Sequence, residues 1–566
     1  MTILLALSGG IFSPLAHYVL AQIVPDNTLG NESSLVTPLD LLNDRIDGGA
    51  ARGANLFHSF QEFNVGEGRG VYFNNPALIE NILTRVTGSN ISEIMGRLGV
   101  LGEANLFLIN PNGIVFGKDA TLDIRGSFTA TTADGIRLGE DGYFSATDTQ
   151  GSQLLRVNPG ALFSNALRNH QAKIGNQGNL AVGNGQVLTL FGDLVTSSGS
   201  LSAPGGAVLV LGERIGLFDN ATIDVSSATG GGTVLIGGNV QGRGTIPTAK
   251  RTYIDTGVNI NADALSNGNG GNVIVWADEV TGFYGNISAR GGLSSGNGGF
   301  VEVSGKEHLI FRGNVDTSAV NGLTGTLLLD PKDIIIANGT RDSGTDGKNP
   351  FAGDQSNIAG SILSDPLSSF DTAPTTIYES ELEGLSGDTD IILQATNDIT
   401  VQNLADNFLN LAAGSGLISF TADADGDGIG NFVMEDTTDT IKTNGRDIEI
   451  SGWDLNLGNI NTSHEGAGDG GDISLEAGGD ITTENLNSSS RYSHSYWEGA
   501  GNGGDIFLEA GGDITTENLN SSSRYSYSYW EGAGNGGDIF LEAGGDITTE
   551  NLYSYSRYSS SYWRGA

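Results

Sequence analysis

The C-terminal part of the chain repeats itself every 33 residues. The unit GGDISLEAGGDITTENLNSSSRYSHSYWEGAGN starts at Gly470, recurs from Gly503 with Phe507 in place of Ser474, and starts again at Gly536. A unit this short cannot bury an apolar face by itself, so it must stack on its neighbours, which predicts a solenoid. Ile473, Leu475 and Ala477 share one parity, and Ser474 and Glu476 share the other. That is a strand with one buried and one wet face.

Upstream the wording differs but the grammar is the same. AVLVLG (207–212), GTVLIG (232–237), NVIVW (272–276) and GFVEV (299–303) are short apolar runs, several of them preceded by paired glycines. In NVIVW, Val273 and Val275 point one way and Ile274 and Trp276 the other. Glycine supplies 87 of 566 residues without a Gly-X-Y period, which excludes collagen and leaves glycine as turn punctuation. No helix-period segment of useful length interrupts the strands. The predicted class is all-β, a right-handed parallel β-helix of the pectin-lyase-like kind, each coil burying its inner face on the next. Strands return after a break in TTIYES, TDIILQA, NDITVQN, RDIEISG and LNLGNI, between residues 375 and 463.

The 66 acidic residues against 27 Lys and Arg give a net charge of −39. Such a polyanion repels nucleic acid and anionic membranes, and suits neutral glycans, cationic partners and divalent cations. Cysteine is absent, so no disulfide scaffold holds the chain. Residues 1–21 read as a secretory signal with an atypical start lacking Lys and Arg, and Val19-Leu20-Ala21 offers a cleavage site before Gln22. No later run is apolar for the ~18 residues a membrane helix needs.

The N-terminal part is richer in aromatic and amide residues. In NLFHSFQEFNV (55–65), Phe57, Phe63 and Val65 share a parity, and Asn74-Asn75-Pro76 follows the next strand. ANLFLINPNGIVFG (104–117) places an Asn-Pro-Asn-Gly turn between two apolar strands. Pro111 pre-sets its own φ, and Asn112-Gly113 accepts positive φ. The succession FQEFNV, NILTRVTGSNISEIMGRLGVLGEANLFLINPNGIVFG and GSFTATTAD resembles the secretion domain of filamentous haemagglutinin-like exoproteins of two-partner secretion, cyanobacterial type. Asn110-Pro111-Asn112-Gly113-Ile114 matches one of that family's two Asn-Pro-Asn motifs. The other, ending in Leu, has no literal counterpart, and Asn74-Asn75-Pro76 stands in its place. The resemblance implies export to the periplasm, recognition by a dedicated outer-membrane β-barrel transporter, passage unfolded, and folding outside from the N-terminal end. It assigns transporter recognition or folding to Asn110, Pro111, Asn112, Gly113 and Ile114, with Asn74, Asn75 and Pro76. A chain without cysteine suits this route, because a periplasmic disulfide would close a loop too wide to thread.

Other candidate sites each have a plainer alternative. Asp423, Asp425 and Asp427 resemble the first half of a calcium loop, but the twelfth position is Met434, and an acidic Asx-turn explains the same residues. Tyr492, Tyr525 and Tyr558, with Trp497, Trp530 and Trp563, would form an aromatic ladder, either adhesive or simply stacked. The six histidines are scattered and match no catalytic motif, so no catalytic residue is assigned.

The organisation expected is a signal at 1–21, a secretion domain at 22–140, β-helix coils at 141–337, a loop or linker at 338–374, further coils at 375–463 and the 33-residue repeats at 464–566. The last copy stops in mid-phase without a cap, as expected of a truncated product or fragment. The function expected is a secreted or surface-held adhesin or structural stalk that is not an enzyme. A polysaccharide-active enzyme on the same fold, betrayed by carboxylates and a Lys or Arg lining one groove, and a non-adhesive matrix protein are the alternatives.

Overall fold

The described residues form long ladders of mainly parallel strands, wound as a right-handed parallel β-helix. The computed structural model describes residues 23–139, 142–150, 172–339, 375–492, 501–525 and 534–558. The expected signal at 1–21, nearly all of the 338–374 linker, and Trp497, Trp530 and Trp563 lie outside the described residues. So do the side chains of Tyr492, Tyr525 and Tyr558.

The coil around the Asn-Pro-Asn turn sets the pattern. Asn105–Ile109 pairs in parallel with Asn81–Val86 on one side and Phe128–Thr131 on the other. Ile114–Phe116 lies between Ser92–Ile94 and Lys173–Asn176, and Thr121–Asp123 between Arg97–Leu101 and Asn179–Ala181. Alternate residues such as Leu106, Leu108, Ile114 and Phe116 enter one core that runs from Ile46 to Leu519. Each such aliphatic side chain contributes about 1.5–3 kcal/mol by leaving water. The ladders also pass the linker: Gly325–Leu329 pairs with Thr389–Gln394, and Ile334–Ala337 with Ile399–Val401. The coils before and after it therefore form one stack.

The N-terminal end departs from this regularity. Ile23–Pro25 runs antiparallel to Asn55–Phe63, and Ser34–Pro38 antiparallel to Asn43–Gly48, so the first coil is closed by strands of opposite sense. A register shift opposite Phe60 and Glu62 marks a β-bulge, which changes the parity of the strand. Phe60, Phe63 and Val65 consequently enter the main core, whereas Phe57 faces outward into a second cluster. The shared face expected for Phe57 and Phe63 is therefore corrected. Ile274 and Trp276 likewise leave the core for an outer apolar cluster with Leu235, while Val273 and Val275 face inward, as the alternation predicts.

One expected strand is shorter than read. In TTIYES the strand ends at Tyr378, and Glu379–Glu383 turns as a short helix. Glu381 accepts the Tyr378 N–H at 2.8 Å, a backward hydrogen bond that starts a helix at this point. Among the described residues no helix is long and apolar enough to cross a membrane.

Candidate functional site

The Asn-Pro-Asn-Gly turn is sewn to the coil before it. Asn110 is fully buried. Its Nδ2 donates to the Asn90 carbonyl at 3.1 Å and to Ser92 Oγ at 3.0 Å. Its Oδ1 accepts from the backbone N–H of Asn112 at 3.0 Å and from Asn112 Nδ2 at 3.1 Å. Asn112 Nδ2 also donates to the Gly88 carbonyl at 2.8 Å. Gly113, at φ +135°, donates its N–H to the Asn110 carbonyl, and its own carbonyl receives the Ser92 N–H. A Cβ there would lie 3.1 Å from the Lys173 carbonyl oxygen of the next coil. The two amides thus do the work of a third strand at a corner, tying residues 110–113 to residues 88–92. Ile114, fully buried, then enters the core.

Asn74-Asn75-Pro76 makes a similar stitch in the opposite direction. Asn75 Nδ2 donates to the Ile79 carbonyl at 2.9 Å, and its Oδ1 accepts the Ala104 N–H of the following coil at 3.1 Å. This turn leads into Asn81–Val86, whereas the other leaves Asn105–Ile109 directly above. The two therefore sit at opposite ends of one face, about 20 Å apart at ~3.3 Å per residue. They do not form one cluster.

What the sequence reading missed lies between them. Arg85 is buried beneath the hairpin Gly135–Leu138/Gly142–Ser145. Its Nε donates to Ser59 Oγ at 2.9 Å, Nη2 to Thr28 Oγ1 at 2.8 Å, and Nη1 to the Ser145 carbonyl. The guanidinium lies 4.7 Å from the centroid of the Phe144 ring. Burial lowers its pKa to about 10, and the nearby Asp26 opposes the shift. Asp26 accepts from Ser59 Oγ at 2.9 Å and from the Thr28 hydroxyl at 2.7 Å, and from Thr87. Burial alone would raise its pKa, but these hydrogen bonds together hold it below the ordinary carboxylate value. Phe57, Leu83, Ile109, Ile136, Leu138 and Phe144 pack as a second layer around this clamp. The one available signal was an Arg inside the alternating strand IENILTRVT.

The Asp423, Asp425 and Asp427 carboxylates do come together, with oxygens within 4.8 Å of one another. Asp423 already accepts the N–H groups of Asp427 at 3.0 Å and Gly428 at 3.1 Å. These are the bonds of an Asx-type turn, which forms without an ion. Met434, at the position where an EF-hand needs a bidentate carboxylate, is buried in the core. The donor types suit a hard cation, but the full loop is not there. Beside it, Glu476, Glu509 and Glu542 line a groove of about 560 Å³ together with Asp423. Among the described residues no Lys or Arg lines this groove.

In the repeats Ser490–Tyr492, Ser523–Tyr525 and Ser556–Tyr558 pair in register, so the backbones at Tyr492, Tyr525 and Tyr558 stack. Phe507 and Phe540 show what such stacking produces, with parallel rings 5.0 Å apart.

Comparison with known proteins bears on the N-terminal coils. Residues 21–279 match the TPS secretion domain. The match contains both Asn-Pro turns and the Arg85 clamp, and continues well beyond them into the coils that follow. A TPS secretion domain implies a secreted exoprotein of a two-partner system. A stretch of 83 residues, 15% of this chain, is 36% identical to the heme/hemopexin-binding protein of Haemophilus influenzae strain Rd, of which it covers 9%. A second heme/hemopexin-binding protein of Haemophilus influenzae is 33% identical over 82 residues, 14% of this chain and 8% of that protein. The chain thus spans less than a tenth of the curated relatives it matches. The crystal structure of the HMW1 secretion domain from Haemophilus influenzae aligns over 94% of this chain and 100% of that one, at 16% identity and a TM-score of 0.35.

Proposed function

We propose that this chain is a filamentous haemagglutinin-like exoprotein, read at its N-terminal coils by an outer-membrane β-barrel transporter and folded outside the cell from that end. The match of residues 21–279 to the TPS secretion domain carries this reading. The Asn110–Ile114 turn is part of the address, and it acts through the coil it builds. Asn110 has both ends of its amide engaged inside the fold, so in the folded protein it has little left to offer a partner. What the transporter reads is then either the unfolded segment or the first coils as they form. Asn74, Asn75 and Pro76 support the same coils from the other end of the face.

The distal repeats are a stalk and an adhesive surface towards glycans or cell surfaces. In-register stacking of Ser490–Tyr492 on its two copies supports a regular column of tyrosines, with Trp497, Trp530 and Trp563 recurring in the same phase of the repeat. Secretion tests the proposal. Replacing Asn110 and Asn112 together with Ala is expected to leave the protein in the periplasm and absent from the medium. Normal release of the double variant would overturn the assignment of the turn. Binding of the wild-type chain to a glycan array, lost on replacing Tyr492, Tyr525 and Tyr558 with Ser, tests the adhesive surface.

A further inference from the structure

Between Thr233–Ile236 and Arg251–Ile254 the chain makes a detour that the following coils do not. In those coils the same corner is turned by residues 278 and 279, and then by residues 306 and 307. Here it takes residues 237–250. The detour is clasped at its base, where the Ala249 N–H donates to the Gly237 carbonyl at 2.7 Å and Thr248 Oγ1 donates to Asp278 Oδ2 at 2.6 Å. Its body lies on the outer face of the sheet. Ile246 packs on the cluster of Leu235, Ile274 and Trp276, and a Cβ on Gly242 would come within 2.8 Å of the Trp276 ring.

Its tip, Gln241, reaches along the stack. The ladder beneath it runs through Asn272–Ala277, Phe300–Gly305, Gly325–Leu329 and Thr389–Gln394. The Gln241 N–H is shared between the two carboxylate oxygens of Glu302, at 3.0 and 3.1 Å. Its Nε2 donates to Asp330 Oδ2 at 2.9 Å and to Gln394 Oε1 at 3.3 Å. One residue thereby grips successive coils, the last of them past the linker. It does so at φ +52° and ψ +30°, in the left-handed region that a residue with a Cβ rarely enters. Such a conformation persists only where the surroundings hold it, and these bonds are the hold.

Val301 and Val303 face the core, so Glu302 faces outward, yet beneath the detour it is fully buried. The groups that face it are Gln241 and Arg243 from the detour, Ser304 from its own strand and Asp330 from the next coil. Burial is the largest influence and lifts its pKa to about 7, helped by the charge of Asp330 and opposed by Gln241, Ser304 and the exposed Arg243. Asp330 is raised too, by burial against Gln241 and Arg243. Lifting the detour would return both carboxyls to water and to their ordinary values.

We propose that residues 237–250 form an acid-locked strap, which ties the coils on either side of the linker together and loosens towards neutrality as Glu302 loses its proton. Closure takes up a proton between the free value of 4.5 and the covered value of about 7. It is therefore tightest below about 4.5, weakens as pH rises through about 7, and changes no further above that. A neutral carboxyl can stay beneath the strap, whereas a charge beside Asp330 favours water.

The test is amide exchange of the purified, folded full chain at about pH 5 and about pH 8, expressed as protection relative to a free peptide. The Gln241 N–H is expected to lose about fiftyfold in protection between the two, while that of Val275 in the sheet beneath keeps its own. Glu302→Gln retains the shape and an acceptor for Gln241, and is expected to stay protected at both. Trypsin gives a reading at a single pH: near pH 8, cleavage after the exposed Arg243 is expected to be slower in Glu302→Gln than in wild type. Should that variant not fold, Gln241→Gly, which loses the bonds to Asp330 and Gln394, is expected to lower protection at Gly242 at both pH values. Unchanged protection at Gly242 in that variant would overturn the latch. Equal protection of Gln241 at both pH values in wild type would overturn the proposal. So would a loss shared equally by Val275, or a Glu302→Gln chain that loosens as wild type does. The measurement involves neither secretion nor adhesion, so it stands apart from the function proposed above.

Discussion

The two ends of the stack are built on different principles. The N-terminal coils are held by contacts that occur once. A buried Arg reaches three segments, a hairpin folds back over an outer apolar layer, and antiparallel strands close the first coil. The C-terminal repeats are held by contacts that recur. Ile473–Ala477, Ile506–Ala510 and Ile539–Ala543 lie in register, with Leu475 on Leu508 on Leu541. The Asp505 N–H donates to Asp472 Oδ1 at 2.7 Å, and Asp538 to Asp505 at 2.8 Å. Unique contacts define where a structure begins, and recurring ones only extend it. A chain that folds from its N-terminal end needs both, in this order.

Arg85→Ala breaks the contrast most severely. It takes three donors from a buried network and a nearby positive charge from the half-buried Asp26, and the loss of both costs about 3–5 kcal/mol. Hydrogen exchange is expected to show lost protection across Asn81–Val86 and the Gly135–Ser145 hairpin, with the repeats still protected. Loss confined to the hairpin would mean that the clamp holds an ornament instead of the first coils.

A core deletion in the repeats should behave in the opposite way. Leu508→Ala removes a fully buried side chain, and costs about 2–5 kcal/mol. In a one-dimensional stack the damage stays with nearest neighbours. Exchange is expected to rise in the coils around Ile506–Ala510 while residues 55–139 keep their protection. A single cooperative transition in urea for this variant would show instead that the two regions unfold as one.

Asn110→Ala with Asn112→Ala sharpens the first region. The loss is a few side-chain hydrogen bonds at a buried corner, about 1–3 kcal/mol. Purified and refolded, the variant is expected to refold more slowly than wild type, because the stitch belongs to the early coils. Unchanged refolding with blocked secretion would separate recognition from folding.

The smallest effect is in pH, and its sign should differ between the regions. Asp26 has a lowered pKa in the folded state, so its contribution is present above its unfolded value and is lost as pH falls through the folded one. Asp472 is raised, by burial and by its neighbours Asp447, Asp505 and Asp469, so its penalty is absent below its unfolded value and grows as pH rises through the folded one. Mild acidification below about pH 4 should weaken the clamp, while the coil at Asp472 tightens over a window somewhat higher. Site-resolved exchange between about pH 3 and 7 checks both signs.

The sequence made the solenoid legible because a period-two alternation leaves its mark in every few residues. NVIVW alone predicted the inner and outer partition of Val273, Ile274, Val275 and Trp276. The Asn110–Ile114 turn was legible as a corner, since proline and glycine announce their backbone angles. The clamp was not, because Asp26, Ser59, Arg85 and Ser145 lie far apart in the chain and have no common local signature. A bulge opposite Val24 moved Phe57 to the other face, and nothing in the phenylalanine spacing encodes that extra residue. The helix at Glu379 escaped for a related reason: Ile377-Tyr378-Glu379-Ser380 reads as the continuation of a strand until the hydrogen bond from Tyr378 to Glu381 is known.

The in-register stacking of the repeats has a cost in information. Each copy offers its successor the surface that it accepts from its predecessor. Ile539–Ala543 would fit on Ile473–Ala477 almost as well as on Ile506–Ala510, with one copy looped out and the same apolar and hydrogen-bonded pairings remade. The junction itself therefore does not distinguish the proper stack from a slipped one, although the slipped one forgoes the burial of a whole coil. As each coil docks, what steers it to its proper neighbour is the order in which the copies become available, so a chain delivered from one end carries in its timing a specification that its local packing leaves out.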